Sequence, residues 1–193
     1  MRWIWVRHGE TEANVRGCYL GHLDSELTLL GYEQAEIVAE QMLSQGATRL
    51  YTSDLGRCVE TASIIASKLG LEITPNSRLR ELNFGQWEGH TYDEVMSLDQ
   101  ELLERWYEDP FDIAPPDGET LTQLGQRVDE WLEQTMDELL IDETVIVVTH
   151  GGPIRWFCSR WLLHDISSYW KVDAVRPGYT VIADWNVEGR RWA

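Results

Sequence analysis

The sequence predicts an α/β fold, a three-layer sandwich with a mainly parallel central sheet flanked by helices. Two observations carry this. Residues 3–6 and 144–149 are apolar runs without polar alternation, as strands buried on both faces require. Helical patterns lie between them, so strands and helices alternate along the chain.

Taken in order, residues 3–6 form the first strand and 49–52 a weaker one. Residues 31–43 carry Ala35, Val38, Ala39 and Met42 on one helical face. Residues 54–69 carry Cys58, Ala62, Ile65, Ala66 and Leu69, with Gly70 placed as a C-cap. The strongest helix spans about 119–140, where Leu121, Leu124, Val128, Trp131, Leu132, Thr135 and Leu139 recur at three- and four-residue spacing. Residues 110–118 read as a loop, 144–149 as a strand, 151–163 as a helix and 179–185 as a last strand. With no internal repeat, low-complexity tract or linker, residues 1–193 are expected to form a single domain.

Composition narrows the function classes. Apolar residues make up 43% and charged residues 25%, ordinary values for a globular protein. Cys18, Cys58 and Cys158 are odd in number and contain no CxxC pair, which points away from a disulfide framework or thiolate zinc site and towards a reducing compartment. Only four apolar residues in a row precede Arg7, too few for a signal-peptide core, and no stretch is long enough to span a bilayer. A cytoplasmic location and no membrane partner are therefore expected. The net charge of −17 is concentrated: residues 88–143 hold 18 Asp and Glu against Arg105 and Arg127. Much of that acidity falls on the polar face of the 119–140 helix, a solvated surface. A duplex binder would show clustered Lys and Arg, so no nucleic acid partner is expected.

In open parallel sheets, ligands bind beyond the carboxyl ends of the strands. Arg7-His8-Gly9-Glu10-Thr11 follows the first strand, and His150-Gly151-Gly152 follows the strand at 144–149. Ser53-Asp54-Leu55-Gly56-Arg57 joins the strand at 49–52 to its helix. The three segments could converge on a phosphate group. Arginines supply its countercharge and directed donors. A neutral imidazole such as His8 can attack phosphorus if its other ring nitrogen is held by an acceptor. An alkoxide also needs a proton in order to leave, which calls for an acid.

Residues 6–11, 53–62, 79–89 (Leu-Arg-Glu-Leu-Asn-Phe-Gly-Gln-Trp-Glu-Gly) and 148–152, in that order, resemble the histidine phosphatase superfamily, the branch containing cofactor-dependent phosphoglycerate mutase. Gly118-Glu119-Thr120 followed by Arg127 resembles the entry to that family's long helix. The resemblance implies a phosphoglycerate mutase-like fold, with His8 as nucleophile and Glu81 as general acid and base. It places Arg7, Arg57 and His150 around the phosphoryl oxygens, with Asn14 and the Gly151 N–H as further donors. It also implies no metal and no cofactor, and a small phosphorylated metabolite as the partner.

Each assignment has a plainer alternative. Two histidines after strands can be structural, Arg57 can be a solvated helix residue, and Asn14 can simply cap a helix. Glu10, Glu12 and Glu88 compete with Glu81. His22, His90 and His164 show no metal-ligand spacing. Trp106 and Tyr107 are candidates for a stacking wall. The missing insertion of the mutases and the Phe84-Gly85-Gln86-Trp87-Glu88-Gly89 run favour a phosphatase over a mutase. Residues 21–28 are similar to a stretch of α-ribazole phosphatases, although Glu26 stands where Pro is common. Broad-specificity phosphatase action is the nearest rival, and a phosphate-binding regulatory domain without turnover is a reading from another class. Oligomeric state is left open.

Overall fold

The computed structural model describes residues 1–172 and 176–193. β1 (Arg2–Arg7) lies inside the sheet, and its side chains alternate between two layers. Trp3 and Trp5 enter one core, Ile4 and Val6 the other, and all four are fully buried. β2 (Arg49–Thr52), β3 (Ile73–Pro75) and β4 (Thr144–Thr149) join it through parallel pairings. β5 (Thr180–Asn186) pairs antiparallel with β1, and β6 (Arg191–Trp192) with β5. The strand order is β3-β2-β4-β1-β5-β6. The expected α/β sandwich around a mainly parallel sheet is the observed fold.

α1 (Glu12–Arg16) is a short helix after β1. α2 (Leu29–Met42) and α3 (Gly56–Leu69) cover the Ile4 face with Val38, Ala39, Met42, Cys58, Ala62 and Ile65. α3 ends at Gly70 in the left-handed conformation (φ +69°), the cap anticipated from sequence. α4 (Tyr92–Glu108), α5 (Leu121–Glu138) and α6 (Gly151–Phe157) build the opposite layer around Trp3 and Trp5. In that layer Trp5 stacks on Phe157 at 4.6 Å, and Trp131 meets both strand tryptophans edge-on.

Some elements differ from the sequence reading. The region before Gly118 forms α4, which has no clean period because Asp99 is non-helical (φ −152°, ψ 59°) and breaks the register between Val95 and Leu103. The helix expected over 151–163 is α-helical only to Phe157, and a π-helical turn, Cys158–Leu162, continues it. β3 and β6 are too short to carry a recognisable alternation.

The chain leaves β1 towards β2 on one side and leaves β4 towards β5 on the other. The carboxyl ends of the adjacent β1 and β4 therefore flank a topological switch point, where α/β sheets open a crevice. In the β1–β4 register Arg7 lies opposite Thr149, so His8 and His150 leave the sheet side by side.

Candidate active site

His8 and His150 sit with ring centroids 5.1 Å apart at that switch point. The His8 backbone N–H donates to Thr149 O at 3.0 Å, which ties the turn after β1 to the end of β4. His8 Nδ1 lies 2.7 Å from Gly9 O. A carbonyl only accepts, so Nδ1 carries the hydrogen and Nε2 keeps its lone pair. The ring is 2% exposed. Burial, then the charges of Arg57 and Arg7, hold its pKa well below the ordinary histidine value, and the imidazole is neutral.

His150 is fully buried, with Nε2 at 2.9 Å from Ser53 Oγ and 3.3 Å from Cys58 Sγ. Burial, Arg57 and His8 push its pKa down as well. Burial also pushes the Cys58 thiol up, so Cys58 packs as a thiol and is not a second nucleophile.

These two neutral histidines make a stability prediction. Their folded pKa values are depressed, so below pH 6.5 the unfolded chain binds protons that the folded chain resists. Stability is therefore fully present above that value and is lost as pH falls. The pair should account for a loss of stability as pH falls from 7 through 6.5 and below. In urea unfolding, His8→Gln/His150→Gln should show a flatter pH dependence below 7; an unchanged slope would contradict the neutral assignment.

Arg57, 1% exposed, reaches back to the 21–24 loop. Its guanidinium donates to Gly21 O (2.7 Å) and Leu23 O (2.9 Å), and Asp24 lies 3.4 Å away. Carbonyls orient the cation without cancelling its charge. The loop is held in turn by Glu88, which accepts from the N–H groups of His22 (2.6 Å), Leu23 and Phe84 (3.2 Å). Glu88 therefore has a structural task in holding this loop.

Glu81 accepts from Gly152 N–H on both carboxylate oxygens (3.1 and 3.0 Å) and from Leu82 N–H at 2.8 Å. A Cβ on Gly152 would lie 2.0 Å from Glu81 Oε1, so only glycine permits this approach. The backbone presenting Glu81 is clamped by Arg127, which donates to Arg78 O, Arg80 O and Glu81 O at 2.6–2.8 Å and pairs with Glu119 at 2.7 Å. His22 Nε2 adds a bond to Glu81 O at 3.1 Å.

Beside Glu81 and Gly151 opens a cavity of about 210 Å³ lined by Arg7, Glu81, Gly151 and Arg155 among aromatic rings; His8 and His150 adjoin its Arg7 and Gly151 in sequence, but neither they nor Arg57 are in its wall. Arg7 is largely withdrawn from water, and burial lowers its pKa, yet an arginine stays charged in a protein. A Cβ on Gly151 would sit 3.7 Å from both the Arg7 guanidinium and Glu81, so the three converge. Asn14 is half-buried at the start of α1; its Oδ1 accepts from Thr11 N–H at 3.1 Å, completing a capping box, and it is not part of the cavity wall. Trp106 lines the cavity. Tyr107 does not: it is turned outward, bonds Tyr19 Oη at 2.9 Å and lines a separate surface hollow with Tyr92.

Arg155, Tyr169 and Trp170 complete the wall and were not anticipated. Arg155 lies four residues after Gly151, one helical turn along α6, so that helix's spacing from Gly151 carried a signal for it. Tyr169 and Trp170 come from a 3₁₀ turn, Ile166–Lys171, whose sequence has no period to read. Among the described residues no group of three or more His, Cys, Asp or Glu is placed to hold a metal ion, and no helix is long and apolar enough to cross a membrane.

The fold is shared with proteins of known structure. An α-ribazole phosphatase from Shigella flexneri matches with a TM-score of 0.91 at 28% identity, covering 100% of this chain and 94% of that one. Phosphoserine phosphatase 1 of Hydrogenobacter thermophilus is 34% identical over 188 residues, 97% of this chain and 87% of the relative. The "Probable phosphoglycerate mutase GpmB" of Yersinia pestis is 37% identical over 157 residues, 81% of this chain and 73% of the relative. Residues 3–193, which include both histidines, Arg57 and Glu81, match the family described as the histidine phosphatase superfamily (branch 1), and the chain belongs to that superfamily.

Proposed function

We propose that this histidine phosphatase hydrolyses a small phosphorylated metabolite through a phosphohistidine on His8, with Glu81 as general acid and base. The observation that carries the reading is the fixed tautomer of His8: with Nδ1–H spent on Gly9 O, the Nε2 lone pair of a neutral ring is the available nucleophile. Nε2 attacks phosphorus and the ester oxygen leaves with a proton from Glu81. Glu81 then takes a proton from water, whose oxygen attacks phosphorus and returns His8 with release of phosphate. Arg7, Arg57 and His150 stabilise the charge on the transferring group. Asn14 contributes the amide N–H donors that its cap does not use, and Gly151 its backbone N–H.

Purified protein should release p-nitrophenol from p-nitrophenyl phosphate, and the rate should survive EDTA, because guanidinium and imidazole groups meet the phosphoryl charge. Lost activity that returned only with added Zn²⁺ or Mg²⁺ would contradict this reading. Phosphate binding without turnover would instead favour the non-catalytic regulatory domain.

A second reading names α-ribazole 5′-phosphate as the substrate. The structural match to an α-ribazole phosphatase and the aromatic cavity wall of Phe84, Trp106, Tyr169 and Trp170 favour it. The 21–28 run adds little, because its carbonyls serve Arg57 and it does not line the cavity. A screen of phosphorylated metabolites that includes α-ribazole 5′-phosphate and 3-phosphoglycerate separates the candidates.

A further inference from the structure

The cavity holds a second cation, Arg155, that the proposed transfer of a phosphoryl group does not use. Arg155 projects from α6 one turn beyond Gly151 and lines the cavity together with Arg7 and Glu81. Its guanidinium lies over the Trp170 ring, 5.6 Å from the centroid. Stacking on an indole fixes the plane of the group while leaving its N–H fork for a ligand.

Arg155 also lacks the countercharge that six of the other thirteen arginines have. Arg2, Arg49, Arg57, Arg80, Arg127 and Arg160 each approach a carboxylate within 3.7 Å. Among the described residues Arg155 makes no ion pair, in a chain with 33 Asp and Glu. It is half-buried, and its charge acts against that of Arg7, so the two guanidiniums share one small space. A half-buried guanidinium on a cavity wall that makes no ion pair can spend its N–H fork on an anionic ligand.

His8, Arg57 and His150, which meet the phosphoryl group in the reading above, do not line the cavity, whereas Arg155 does. Arg155 lines the cavity together with Glu81, the group that protonates the leaving oxygen in the reading above, and so is placed to meet the leaving group. A single guanidinium matches one negative charge, and its planar fork matches a carboxylate. Building on the phosphatase reading above, we propose that Arg155 is a specificity-determining residue that binds a carboxylate on the leaving group. The preferred substrates are then small phosphomonoesters with a carboxylate a few bonds from phosphorus, sized to a cavity of about 210 Å³.

The test compares kcat/KM for 2-phosphoglycolate and ethyl phosphate, which differ in that carboxylate, with α-ribazole 5′-phosphate as a third ester. The wild type should favour 2-phosphoglycolate over ethyl phosphate by about 10- to 100-fold. In Arg155→Gln the ratio should fall to near one through a raised KM for 2-phosphoglycolate. Arg155→Glu should turn the preference towards phosphoethanolamine, whose leaving group is cationic. Arg155→Lys should keep part of the ratio, so the comparison stands even if another variant folds poorly. A wild-type ratio near one, equal losses on both esters in Arg155→Gln, or a wild-type preference for α-ribazole 5′-phosphate would overturn the proposal. Turnover without a carboxylate preference rejects the Arg155 assignment alone, whereas no turnover of any ester rejects the phosphatase reading and this inference with it.

Discussion

In single-turnover kinetics, Glu81→Gln should transfer the phosphoryl group from an alkyl ester about 10²–10⁴-fold more slowly than the wild type, with a far smaller loss for p-nitrophenyl phosphate. An alkoxide is a poor leaving group without a proton, and glutamine cannot supply one. A p-nitrophenolate leaves as a stable anion and needs no acid. The second half-reaction reverses the demand, because water must lose a proton whichever ester was used. The variant should therefore accumulate phosphoenzyme from p-nitrophenyl phosphate and show a burst followed by slow turnover. Glutamine is the suitable replacement, since it keeps the length of the side chain and an oxygen that can accept from Gly152 and Leu82. Equal losses for both esters without a burst would move the acid/base role away from Glu81. Glu88 would be a poor heir, with its carboxylate committed to the 21–24 loop and Phe84, and Glu12 is exposed on α1.

His8→Ala should lower turnover by on the order of 10⁶, the scale seen when a covalent nucleophile is removed. His150 cannot take over. It is fully buried and its Nε2 is engaged by Ser53 and Cys58, whereas His8 has Nε2 available. Phosphate binding should persist in the variant, because Arg7, Arg57 and His150 remain, and fluorescence titration with inorganic phosphate checks this. Retention of normal turnover would remove His8 from the chemistry.

The parts of the fold legible in the sequence were those governed by local pattern. β1 and β4 are apolar runs, α5 carries a clear helical period, and Gly70 marks the end of α3. The strand-end rule alone brings both histidines and Arg57 towards one crevice. What stayed hidden depends on tertiary placement. α4 is interrupted at Asp99, and the Trp106 and Tyr107 pair divides between the cavity and the outer surface because neighbouring helical positions face different ways. The Ile166–Lys171 turn contributes Tyr169 and Trp170 only because the chain after α6 folds back over the cavity. Asn14 shows a further limit, since a residue that caps a helix carries the same sequence signature whether or not it also touches a ligand.

The central claim is that the phosphoryl group passes through His8. Rapid mixing of the enzyme with labelled p-nitrophenyl phosphate, an alkaline quench and peptide mapping measure this directly, with Glu81→Gln used to hold the intermediate. The account predicts a burst approaching one phosphoryl group per active site, stable in base, lost in acid, and located on the peptide containing His8. Label on another residue, or no label during normal turnover, would contradict it.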